Sequence, residues 1–153
     1  MTTLAEAAAL AGDDNGLAVV STLRADQSIQ ATLVNAGVLP HPVSAQPVLG
    51  FVTYGPVKLA NLRQRPHLAM TFRRGWQWAT VEGTAELVGP DDPQTWLDGT
   101  DRLRLLLRDV FTACGGSHDN WEEYDRVMAE QRRTAVLITP TRIYGNRPVT
   151  SAG

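Results

Sequence analysis

The sequence predicts a mainly β protein: a small antiparallel barrel of about six strands with peripheral helices. Three observations carry that expectation. Short runs rich in Val, Ile, Thr, Phe and Trp recur along the chain, bounded by Gly, Pro and Asp. Longer helical spacing of apolar residues comes late, in two adjacent segments, so strands do not alternate with helices as βαβ units require. The 153 residues, 43% hydrophobic and 20% charged, fit one domain that can bury a core without staples.

The elements follow in order. Leu4 to Leu10 is alanine-rich and reads as a short helix ending at Gly12. Leu17 to Leu23 is a strand. Ser28 to Leu39 is a second, with Gln30, Thr32 and Val34 on one face and Ile29, Ala31 and Leu33 on the other, a two-sided pattern that suits a barrel wall. Pro40 to Pro47 holds three prolines and is a loop. Leu68 to Phe72 alternates as a half-buried strand, Arg73 to Gly75 is a tight hairpin, and Trp76 to Val88 returns, with Gly83 marking a bulge or a close backbone approach. Leu103, Leu106, Leu107, Val110 and Phe111 form the stripe of a helix that Gly115-Gly116 stops. Asn120 caps a second helix with Trp121, Tyr124, Val127 and Met128 on its inner face. Thr134 to Thr139 is a strand, Pro140 a corner, Arg142 to Tyr144 a last extended piece, and the polar tail over 146–153 is loose.

Between these lies the stretch with the clearest chemistry, Phe51 to Phe72. A strand ends at Thr53, Gly55-Pro56 breaks it, and Lys58 to Arg65 forms a short helix stopped by Pro66. Pro56 suits a first helical position, and Gly55 supplies irregular backbone before it. The open amides of the next residues and the helix dipole favour a phosphate there. Lys58 stands in that first turn and is the only lysine, the other 13 of 14 basic residues being arginine. The same residues also fit a plain strand-helix connection with a solvated lysine.

Composition excludes several classes. A net charge of -2 argues against nucleic acid as the main partner. No apolar run approaches about 18 residues, so no membrane span is expected, and the start lacks the basic flank of a signal peptide. One cysteine, Cys114, makes no internal disulfide and fits a cytoplasmic setting; it reads as a small buried apolar residue. His41, His67 and His118 have no metal-ligand spacing, so no metal site is expected. There is no G-x-S-x-G elbow, Walker loop or dinucleotide fingerprint. With no catalytic set of its own, the chain is expected to borrow its chemistry from a cofactor.

The pattern T-x-x-x-x-K-x-x-N-L-R-x-x-P over Thr53 to Pro66, followed by a hairpin and the strand VEGTAEL, resembles the pyridoxamine 5′-phosphate oxidase-like split β-barrel flavoproteins. Leu107 to Gly145 is similar to their branch that uses the deazaflavin coenzyme F420. The resemblance spans about residues 5–145 of what it implies is a single six-stranded, FMN-binding-type split barrel over 1–153. It implies a homodimer, a phosphate held by Thr53, Lys58 and the turn Gly55 to Val57, and a ring lined by Thr32 and Val34. Trp76 and Trp78 would reach the same pocket or the dimer partner, or else pack in the core, and Arg63 and Arg65 would meet an acidic tail or stay solvated. Pro56 and Val57 stand where many relatives carry Ser or Arg, and Leu33 where a proline is frequent.

The function so implied is an F420-dependent oxidoreductase passing a hydride between F420 and a small conjugated or aromatic acceptor, with no obligatory catalytic base. An FMN-dependent oxidase or reductase of the same fold and a non-catalytic cofactor-binding module are the alternatives. Arginine in place of lysine, with abundant Ala, Gly and Pro, matches the composition of actinobacterial proteins, which make F420.

Overall fold

The computed structural model describes residues 2–97 and 99–146. Among the described residues seven strands form one sheet: β1 (Leu17–Leu23), β2 (Ile29–Asn35), β3 (Gly37–Pro40), β4 (Pro47–Thr53), β5 (His67–Arg74), β6 (Gln77–Val88) and β7 (Thr134–Gly145). Their order is β2-β1-β5-β6-β7-β4-β3, with every pairing antiparallel. Helices α1 (Leu4–Ala9), α2 (Pro56–Gln64), α3 (Gly99–Ala113) and α4 (Trp121–Glu130) lie around it. Because β2 and β3 are consecutive in sequence yet sit at opposite edges, the sheet curls, and β2 comes against β4.

The seventh strand corrects the expected six. Ser28 to Leu39 does not run as one strand, because it bends at Ala36, whose N–H donates to the Gly16 carbonyl at 2.9 Å. The next residue is pressed against the end of α3: a Cβ on Gly37 would fall 2.1 Å from the Ala113 carbonyl oxygen. Only glycine allows that approach, and it turns one predicted strand into two edges of a barrel.

Two further readings change. Pro140 is no corner, since β7 passes through it to Gly145; the register slips between Glu82 and Gly83, leaving Thr141 outside the ladder with its hydroxyl on the Glu82 carbonyl at 3.1 Å. A proline is tolerated at such a bulge, and Gly83 is the glycine expected there, its missing Cβ making room for the Thr139 carbonyl. Trp76 lies in the β5–β6 turn beside Gly75 (φ +60°), not in the strand. Of the tail, Asn146 is tied down, its amide donating to the Trp76 carbonyl at 2.7 Å and its Oδ1 accepting from the Trp78 N–H at 2.9 Å; 147–153 lie outside the described residues.

Two cores result. Inside the barrel, Val20, Leu49, Phe51, Met70, Phe72 and Val81 pack with Leu4 and Ala7 of α1 and Leu59 and Leu62 of α2. Outside it, Val48, Val88, Ala135 and Leu137 pack against Leu106, Leu107 and Val110 of α3. The first five residues of β7 are therefore buried on both faces, which is why TAVLI reads as a continuous apolar run with no alternation. Among the described residues no helix is long and apolar enough to cross a membrane.

Candidate functional site

The start of α2 is built as the sequence indicates. Gly55 (φ −65°) is the N-cap, Pro56 the first helical residue, and no side chain caps the helix. The amides of Val57 and Lys58 are thus open at the positive end of the dipole. Thr53, buried at the end of β4, accepts the Gly55 N–H on its Oγ1 at 3.2 Å and so fixes the turn.

Lys58 is the unusual group. The residue is 7% exposed, and its ammonium has no hydrogen bond or ion pair among the described residues. Its Nζ stands 6.0 Å from the centre of the Phe51 ring, at the outer limit of a cation–π contact. Burial pushes its pKa below the ordinary lysine value. A desolvated cation at the positive end of a helix is doubly unfavourable unless an anion sits beside it. On β2, the Thr32 hydroxyl is likewise buried without a partner. Both orphaned groups are of the kind that would face a phosphate or a polar ring edge.

α2 is held by a buried polar cluster. Asn61 donates its amide to Thr22 Oγ1 at 3.1 Å, and the Thr22 hydroxyl donates to Gln30 Oε1 at 3.2 Å. Leu59 and Leu62 complete the anchor in the barrel core, so Asn61 and Leu62 hold the helix against the barrel.

The remaining expected residues are dispersed. Val57 offers its backbone, the residue being 49% exposed. Val34 is buried in the barrel core. Arg63 is not brought to the turn: it lies roughly 140° around α2 from Lys58, where it makes a two-pronged bond to Asp92 at 2.8 and 2.7 Å. Arg65 donates instead to the Leu23 carbonyl. Trp76 and Trp78 stand at the far end of β5 from α2, roughly 23 Å along the strand; Trp76 is 94% exposed and Trp78 packs edge-on against Tyr144.

Burial pushes Cys114 and Tyr124 each up to about 12, and His118 accepts the Asn120 N–H at the cap of α4. Sequence reasoning missed Tyr54 and Arg133, whose guanidinium lies 3.9 Å over the Tyr54 ring, because nothing in a pair of adjacent arginines distinguishes the inward one.

No family model matches the chain. Its fold is that of solved structures of the pyridoxamine 5′-phosphate oxidase-like, FMN-binding split-barrel proteins. One is the conserved hypothetical protein Rv2991 from Mycobacterium tuberculosis, at 18% identity and a TM-score of 0.65 over 95% of this chain and 84% of that one. Another, described as an F420 reductase, has 20% identity and a TM-score of 0.52 over 84% and 88% of the two chains. A pyridoxamine 5′-phosphate oxidase-related, FMN-binding protein from Nostoc punctiforme has 13% identity and a TM-score of 0.52 over 84% and 73%.

Proposed function

We propose that the chain is an oxidoreductase that holds coenzyme F420 by its phosphate at the start of α2 and reduces a small conjugated or aromatic acceptor. The buried, unpartnered Lys58 ammonium beside the uncapped amides carries this reading. The F420 reductase among the structural neighbours supports the deazaflavin, and the FMN-binding neighbour keeps FMN as the alternative.

Hydride transfer is the chemistry such a coenzyme supplies when bound. The protein's part is binding and orientation. Lys58 and the Val57 and Lys58 amides would neutralise the phosphate, Thr53 holds the turn in shape, and the Thr32 hydroxyl would bond a polar edge of the ring. Val34, on the same face of β2 as Thr32 and buried in the barrel core, would give the ring an apolar contact.

The reading includes a homodimer. On the outer face of β1 and β2, Val19 lies opposite Leu33 and Leu23 opposite Ile29, with Leu17 beside them. Ile29 and Leu33 are 64% and 62% exposed, so a contiguous apolar strip faces outward. A second copy would cover that strip. Leu33→Arg should convert a dimer to monomer in sedimentation; a wild-type monomer would remove this part of the proposal.

Fluorescence titration tests the cofactor. F420 is expected to bind more tightly than FMN, and Lys58→Ala to weaken it by about 1.5–3 kcal/mol, the range for a charged hydrogen bond. Unchanged affinity in that variant would refute the phosphate role.

A further inference from the structure

Beside β4, on the side away from the barrel core, a cleft of about 540 Å³ opens between the sheet and helices α3 and α4. That volume is within the usual range for small-molecule sites. Its walls include Val52, Phe111, Tyr124 and Met128, with Asn35 at one side. Among the residues lining it, Arg133 alone is charged.

The walls are fixed. Phe111 and Tyr124 pack ring against ring at 4.9 Å, and Gly116 lies so close that a Cβ there would meet the Phe111 ring at 2.6 Å. Tyr124 spends its hydroxyl on the Leu107 carbonyl, and the Cys114 thiol faces the Asn35 and Gly50 carbonyls. Neither is a nucleophile at neutral pH, so the cleft is suited to binding and not to bond making.

Arg133 sets what it would bind. Its neighbour Arg132 is paired with Asp91 on the surface. Arg133 is half-buried, stacked on Tyr54, and donates through Nε to Gln131 at 2.8 Å, with no carboxylate partner among the described residues. Asp125, one residue beyond Tyr124, is already engaged by Arg104 and Arg108. A guanidinium has five N–H donors in a planar fork that matches a carboxylate. A single such cation among apolar and aromatic walls favours a monoanion with a flat apolar body over a phosphate dianion.

We propose that this cleft binds a planar aromatic carboxylate, its ring against Phe111, Val52 and Met128 and its carboxylate on the Arg133 guanidinium. The site stands on its own observations, whether or not the α2 turn holds a cofactor.

Calorimetric titration with 2-naphthoate and with its neutral counterpart, 2-naphthalenemethanol, tests it. The wild type should bind the carboxylate at least tenfold more tightly. Arg133→Gln should erase that preference while leaving the melting temperature near wild type. Ser117→Glu, a surface change at the rim, should weaken 2-naphthoate at least fivefold and leave the alcohol unchanged. Lys58→Ala should keep the preference, which separates this cleft from the α2 turn. The proposal is overturned by equal affinity for the two probes, by no binding at millimolar concentration, or by a preference that survives Arg133→Gln and vanishes in Lys58→Ala.

Discussion

The starts of α2 and α4 are two solutions to one problem. At α4, Asn120 accepts the Glu123 N–H at 3.1 Å, Glu122 and Glu123 face the positive end of the dipole, and Arg104 and Arg108 converge on Asp125 one turn in. At α2 the cap has no side chain, the first residue has no N–H, and the first turn holds no acid but a buried cation. One end is complete within the chain; the other lacks a negative charge.

Proton linkage draws the same contrast. Hydrogen bonding from Arg108 holds the Asp125 carboxyl below its ordinary value of 3.8, whereas burial pushes Lys58 below its ordinary 10.5. In both cases the folded chain binds fewer protons than the unfolded one, so stability rises with pH through each window. For Asp125 this is a pairing gain, complete above 3.8 and lost as pH falls through the folded pKa. For Lys58 it is a burial penalty, present below the folded pKa and relieved as pH rises toward 10.5. An anion at the α2 turn should remove the alkaline window and leave the acid one.

The largest effect should come from loosening α2 itself. Leu62 is 2% exposed in the barrel core, and Leu62→Ala should cost about 2–5 kcal/mol in denaturant unfolding and weaken cofactor binding with it. Next, the chain can be given the charge it lacks. A Cβ on Gly55 would stand 3.6 Å from Thr53 Oγ1 and 3.9 Å from Lys58 Nζ, ordinary contacts at a φ that any residue adopts. Gly55→Asp should cap α2 and pair Lys58, stabilising the free protein by about 1 kcal/mol and abolishing phosphate binding. The smallest change is at the other end: Asn120→Ala should cost up to about 1 kcal/mol and leave cofactor affinity untouched.

How much of this was legible in the sequence differs between the two ends. Asn120 as a cap, the stripe from Leu103 to Phe111 and the break at Gly55-Pro56 are local signals, and local chemistry set them. The strand-two bend at Ala36 was not legible, since it depends on α3 docking against Gly37 from 76 residues away in sequence. Lys58 was picked out by its position, but only the fold shows it buried without a partner. Arg63 matched a motif, yet helix geometry turns it toward Asp92, and Trp76 lost its strand place to a two-residue turn. Arg133 gave no signal because burial of one of two adjacent arginines is decided by the packing of α4 and Tyr54.

Thermal melts of the wild type and Lys58→Met, each with and without F420, bear most directly on the idea that α2 begins as an incomplete anion site. Removing a buried unpaired cation should raise the melting temperature of the ligand-free protein by roughly 2–4 °C, the equivalent of about 1 kcal/mol in a chain of this size, and should abolish the shift that F420 gives the wild type. A variant that melts no higher than the wild type when free, and still rises when F420 is added, would contradict it.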